Sequence, residues 1–223
     1  MRVIAASQPL LPLQLLDSWL REILAAPSPS LTDLEAISCL LDATFSKLVS
    51  AEQVQPVAQL ALPLLQLLLQ HPSTSPILLS ELLSCISALF SCVLLQPAAL
   101  QQVLAKVFSP LSSPNTSNCK DVRTLRRHCC ALLVKLGTRF PAVMLPTFPF
   151  LRAEVSRLQV AGLVSKMELV TLTEGLVIVS NQFMDYGRQA AFIEELLSPI
   201  TTQLAQVCTC TCTCTCTCTC TCT

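Results

Sequence analysis

The sequence predicts an all-α chain, a solenoid of stacked helical hairpins. Three observations carry that expectation. Of 223 residues, 52% are hydrophobic and 13% charged, with only four glycines and 4% aromatics. This balance is the reverse of a disordered chain's, and it lacks the turn residues of a β-sandwich or barrel. Apolar residues recur at helical spacing along most of the length. Proline-bearing leucine clusters recur as well: Leu11-Pro12-Leu13-Gln14-Leu15-Leu16, Leu62-Pro63-Leu64-Leu65-Gln66-Leu67 and Leu145-Pro146-Thr147-Phe148.

The elements follow in order. A first helix is expected over Pro12–Ala25, ended by Pro27-Ser28-Pro29. Thr32 and Glu35 make a capping-box pattern. They open a second helix whose face is marked by Leu34, Ile37, Leu41, Thr44, Phe45 and Leu48. Val54–Gln70 comes next, stopped by His71-Pro72-Ser73. Pro76–Leu95 and Pro97–Leu111 precede the break Ser112-Ser113-Pro114-Asn115. Asp121–Leu136 is amphipathic, with Gly137 suited to the position just past its end and Pro141 shortly after. Phe148–Leu163, Ser165–Phe183 and Asp185–Val207 complete about nine helices. Asp121-Val122-Arg123 and the helix behind it resemble the second helix of a HEAT repeat. Pro141-Ala142-Val143-Met144-Leu145-Pro146 then resembles the first helix of the next repeat. Hairpin arrays of this kind repeat every ~40–47 residues. The expected architecture is therefore a HEAT-like helical-hairpin solenoid (an ARM/HEAT-type superhelix) over residues 1–207, incomplete at both ends. Residues 208–223 alternate strictly between Cys and Thr and read as a low-complexity tail without a packed core.

Two leucine-rich runs invite a membrane reading. Val54–Gln70 contains Pro56, Pro63 and several glutamines, and Ile77–Leu95 carries Glu81 and serines. Neither is bracketed by a Lys/Arg-rich loop, so both are expected to be buried solenoid helices. At the amino terminus Asp17 follows the apolar run and no clear cleavage site appears, which argues against a signal peptide. Cys39, Cys85, Cys92, Cys119, Cys129 and Cys130 are then expected to be free, small core residues in a reducing compartment.

Zero net charge hides an uneven distribution. Residues 1–105 hold three basic and seven acidic side chains, a net of −4. Residues 106–166 hold ten basic and two acidic, a net of +8; the remainder is again −4. A basic middle between acidic flanks points to an anionic partner. On a helical wheel Val122, Leu125, Cys129, Leu132, Leu133 and Leu136 share one face, with Lys120, Arg123 and Arg127 opposite and Arg126 on the flank. These four cations are the candidate phosphate contacts. The competing reading of the same residues is a solvated back face with salt bridges between repeats. His128 lies near the apolar border.

Catalytic motifs are absent: no Walker loop, no G-x-G-x-x-G, no H-E-x-x-H and no G-x-S-x-G elbow. An enzyme, a cofactor and a metal centre are not expected from residues 1–207. The C-x-C alternation of the tail is compatible with soft-metal binding by thiolates. It also has the strict two-residue period of a translated short DNA repeat, the reading preferred here.

Arg123-Thr124-Leu125-Arg126-Arg127-His128-Cys129-Cys130 with Phe140-Pro141 and Leu145-Pro146 resembles the karyopherin/importin-β family of nuclear export receptors. The likeness continues through Glu174-Gly175-Leu176-Val177-Ile178-Val179-Ser180-Asn181-Gln182-Phe183 and Tyr186–Leu196. It is specific from about 120 to 200, weaker back to about Ser28, and absent from Cys208 onward. The resemblance is to the middle of the array of the member that exports hairpin RNA. It implies a HEAT-repeat receptor that carries double-stranded hairpin RNA, chiefly microRNA precursors, from nucleus to cytoplasm with Ran-GTP, passing nuclear pore proteins on the way. It also implies that second helices line the cargo surface, so that Lys120, Arg123, Arg126 and Arg127 would face RNA. Duplex RNA is held largely by shape and backbone charge, which such a stripe can supply. The chain is far shorter than such a receptor. The alternatives left open are a HEAT-repeat protein–protein scaffold and a truncated product without independent activity.

Overall fold

The computed structural model describes residues 10–26, 29–114 and 119–198. The expected boundary between Val207 and Cys208 lies outside those residues, as does Asn115 of the expected break. The chain divides into two compact units, Met1–Val179 and Ser180–Thr223.

The first unit is a two-layer array of helical hairpins. Helix α1 is Leu10–Ala25 and α2 is Leu31–Phe45. A lead-in turn, Ala51–Val54, and a 3-10 turn, Gln55–Val57, introduce α3, Ala58–Gln70; α4 follows at Pro76–Ala88 and tightens into a 3-10 stretch, Leu89–Leu94. Helix α5 is Ala98–Phe108 and α6 is Lys120–Arg139. A second lead-in, Pro141–Met144 with Leu145–Thr147, introduces α7 at Phe148–Val160, and α8 spans Lys166–Ser180. Helices α1, α3 and α5 pack side by side in one layer; α2, α4 and α6 pack side by side in the other. Among the described residues no strand occurs.

The array has a period. Second-layer helices start at Leu31, Pro76, Lys120 and Lys166, intervals of 45, 44 and 46 residues. The two bent first-layer helices are in register with it: Ala51, Gln55 and Ala58 correspond to Pro141, Leu145 and Phe148, each pair 90 residues apart. Pro56 and Pro146 occupy the same step of these turns. Proline at the first positions of a helical turn loses no hydrogen bond and forces the chain to bend there. Of the recurrent proline-leucine clusters of the sequence only the one at Pro146 marks such a bend; Pro63 lies inside α3 and Pro12 in the first turn of α1.

Several helix starts carry side-chain caps. Ser30 caps α2 by accepting from the Asp33 amide. The expected box of Thr32 and Glu35 does not form, because the helix has already begun at Leu31. Reciprocal boxes do occur at Ser50/Gln53 and Ser165/Glu168. Two cations close helix ends across the array. Lys106 Nζ donates to the Leu69 and His71 carbonyls at the end of α3, at 2.9 Å each. Arg139 donates to the Phe45 carbonyl at the end of α2 and lies over the Phe140 ring.

The core runs between the layers through Phe45, Leu64, Leu65, Leu82, Ile86, Phe90, Leu104, Leu133 and Leu158, all 6% exposed or less. Pro76–Leu94 is long and apolar enough to cross a membrane, but it is the middle of the array and mostly buried by its neighbours. Four thiols behave as core residues, Cys85, Cys92, Cys129 and Cys130, whereas Cys39 and Cys119 are exposed. Gly137 lies inside α6, not beyond its end, and is buried.

The second unit is described over Ser180–Ser198. Met184 takes a left-handed backbone (φ 53°), and residues 186–198 are helical. Asp185 caps that helix by accepting from the Arg188 amide at 3.1 Å. Arg188 stacks on Phe183, 4.2 Å from the ring centroid, and Phe183 meets Phe192 edge-on.

Candidate nucleic-acid interface

Helix α6 is flanked by second-layer neighbours on both sides. On one side Ser80 Oγ of α4 is 2.8 Å from His128 Nδ1. On the other, Val134 and Gly137 meet Gly175 and Val179 of α8. With the first layer behind it, α6 keeps only an arc of exposed positions: Lys120, Asp121, Arg123, Thr124, Arg127, Ala131, Lys135 and Thr138. Residues three, four and eight apart fall on one stripe of a helix. Lys120, Arg123 and Arg127 therefore stand together on the outer face of the second layer, with one acid, Asp121, beside them. None of the three cations is in an ion pair among the described residues.

Lys135, eight residues after Arg127, extends the stripe. Its ammonium is 3.9 Å from Asp42, and both side chains are about half exposed. The wheel argument stopped at Arg127 and missed it, although its spacing from Arg127 was the available signal. His128 is half-buried at the border, as expected. Burial, and then the charge of Lys135, lower its pKa, which keeps the imidazole neutral near pH 7.

Arg126 does not belong to the stripe. It is 1% exposed and forms a two-point ion pair with Glu168 of α8, with Nε to Oε1 at 2.8 Å and Nη2 to Oε2 at 3.2 Å. The remaining donors reach the carbonyls of Pro110, Ser113 and Leu163 at 2.9, 3.0 and 2.6 Å. A guanidinium presents five donors in a fixed fork, and here the fork is spent on protein. Burial alone would raise the pKa of Glu168, but hydrogen bonds from Arg126 and from Ser165 outweigh it and hold the carboxylate below its ordinary value. The flank position of Arg126 on a wheel turned inward because α8 covers that flank.

The second layer is also polarised along the array. Helix α2 carries Asp33, Glu35 and Asp42, whereas the exposed arc of α6 carries four cations and one acid. Burial, and then repulsion from Glu35, raises the pKa of Glu81.

Paired helices at a 44–46-residue period, with consecutive second helices packed side by side, define a HEAT-type repeat protein. Comparison with known proteins is specific: the family model described as the Exportin-5 family matches residues 3–212. The chain belongs to the exportin-5 family. It is 36% identical over 181 residues to exportin-5 of Mus musculus and 34% identical over 184 residues to exportin-5 of Homo sapiens, covering 78% of this chain in each case. Exportin-5 of Dictyostelium discoideum is 29% identical over 158 residues, 68% of the chain. The matched part is 14–15% of those relatives' length. The family match begins well before Ser28 and reaches into the Cys-Thr run.

Proposed function

We propose that this chain is a cargo-binding segment of a nuclear export receptor and holds double-stranded hairpin RNA by its phosphates. Lys120, Arg123 and Arg127 are the contacts, and Lys135 continues their line. The observation that carries this reading is the set of three exposed cations, none in an ion pair among the described residues, on the exposed face of the second helix layer; the family resemblance implies that this layer is the one facing cargo. Regularly spaced cations on one stripe match a phosphate backbone, and they need not read bases, which the deep groove of duplex RNA conceals. Arg126 supports the site from beneath by fixing α6 to α8. In this reading the whole receptor shuttles between nucleus and cytoplasm, with Ran-GTP and nuclear pore proteins as its further partners and precursor-microRNA hairpins as its cargo.

The test is fluorescence anisotropy of a labelled RNA hairpin titrated with the full chain at low salt. Replacing Lys120, Arg123 and Arg127 together by alanine should weaken binding by at least about tenfold with helicity unchanged. Equal affinity of the triple variant would reject the RNA reading. Recovery of the same protein partners after nuclease treatment, by parent and triple variant alike, would replace it with a protein scaffold.

A further inference from the structure

Helices α2 and α6 are separated by α4 in the second layer, yet they are joined directly. Arg139, the last residue of α6, donates from Nη2 to the carbonyl of Phe45, the last residue of α2, at 2.8 Å. One turn earlier, Lys135 Nζ lies 3.9 Å from Asp42 Oδ1. Helix axes in contact are ~8–10 Å apart, so next-nearest neighbours in a flat layer would stand roughly 16–20 Å apart. That is too far for one arginine side chain to reach a backbone oxygen. The ends of α2 and α6 therefore close in over the end of α4.

Three further observations agree. Every residue from Cys85 to Val93 is 3% exposed or less, so this end of α4 keeps no outer face. It is also where α4 tightens into the 3-10 stretch Leu89–Leu94, a narrower coil that takes less room between its neighbours. A groove of about 380 Å³ is lined jointly by Asp42 of α2, Ser84 of α4 and Lys135 of α6, as a recessed middle helix requires. Arg139 is tied into this arrangement a second time. Its guanidinium lies over the Phe140 ring, 5.2 Å from the centroid, and Phe140 packs on Phe90 of the 3-10 stretch with centroids 5.2 Å apart. One side chain thus links three consecutive repeats, directly or through one ring.

We propose that the last turn of α6 is a strap across three repeats, and that Arg139 is the positioning residue that sets the angle of the α6 cation stripe to the rest of the layer. The strap bends the second layer inward at α4, which puts Lys120, Arg123 and Arg127 on the inner side of the curve. A cation at the carboxyl end of α2 also meets the negative end of that helix's dipole, which favours the bond. The Arg139 guanidinium is committed to protein, so it adds no phosphate contact of its own. The positioning role rests on the RNA reading; the strap itself does not.

Hydrogen exchange of the full chain, mapped by mass spectrometry, reads the strap. In Arg139→Ala the amides of residues 85–94 should exchange about tenfold faster, whereas a mere helix cap would loosen only the turn at Phe45. Arg139→Lys keeps a cationic donor and should fall between the parent and the alanine variant. Unchanged exchange across 85–94 in both variants overturns the strap. So does an equal acceleration across α8, which would mark general destabilisation. Hairpin anisotropy reads the positioning. At low salt Arg139→Ala should bind the labelled RNA about threefold to tenfold more weakly. Its slope of log affinity against log salt should not change, since no phosphate contact is lost. A slope reduced by about one would make Arg139 a phosphate contact and overturn its positioning role; unchanged affinity would overturn it too. If the parent itself binds no hairpin, the RNA reading fails and the positioning role with it, and exchange alone decides the strap.

Discussion

Arg126 and its neighbour Arg127 show how far adjacent cations on one helix can diverge. One residue is a rotation of about 100°, enough to take the side chain from open solvent to a seam closed by α8. Removing one partner of a buried ion pair leaves the other charge uncompensated. Arg126→Ala should therefore lower unfolding free energy by about 3–5 kcal/mol in a denaturant titration. Arg126→Lys should recover little of it, because an ammonium cannot reproduce the two-point contact or reach three carbonyls. The same node gives a pH dependence. Glu168 is held below its ordinary pKa, so the unfolded chain takes up its proton at a higher pH than the folded one. Its contribution is complete above about pH 5 and is lost as pH falls through the depressed folded value. Glu168→Gln should flatten that acid limb of the stability profile, and an unchanged limb would show that the carboxylate is not stabilised by the fold. From the sequence, Lys120, Arg123 and Arg127 were legible as a surface stripe. The burial of Arg126 was not, because a wheel records one helix and no neighbour.

At the scale of the element, glycine position decides how α6 and α8 meet. A glycine followed closely by proline reads as a helix stop, yet α6 continues through Gly137 to Arg139. The cause is tertiary: a Cβ at Gly137 would stand 3.2 Å from Val179 Cγ2, so its absence lets α8 approach. Gly137→Leu should cost about 3 kcal/mol, the upper end of overpacking penalties. Gly175 faces α6 from the other side, but a Cβ there would meet Val134 at an ordinary 3.7 Å. Gly175→Ala should be neutral or stabilising by up to about 1 kcal/mol, through helix propensity. Thermal melts of the two variants separate close approach from mere smallness. The helices themselves were nearly all legible from periodicity. The 3-10 tightening of Leu89–Leu94 was not, since a buried apolar run carries no period that distinguishes the two geometries.

At the scale of the whole molecule, the array is a period with a charge gradient along it. The 44–46-residue spacing of second-layer starts was not legible from the proline-leucine clusters, whose prolines, Pro12, Pro63 and Pro146, fall at unequal intervals in first-layer elements. What the repeats share is the paired-helix spacing and an apolar seam, and different residues supply that seam in each. Membership of the exportin-5 family gives this geometry its setting. In the proposed function the exposed cations of α6, Lys120, Arg123 and Arg127, carry the affinity for RNA, and the buried Arg126 does not. The salt dependence of hairpin binding tests it most directly, because each phosphate that a cation neutralises releases counterions and steepens the dependence of affinity on salt. Replacing Lys120, Arg123 and Arg127 by alanine should reduce the slope of log affinity against log salt by about two to three, close to one for each cation removed. An unchanged slope in a folded triple variant would contradict the account and place any RNA affinity elsewhere on the chain.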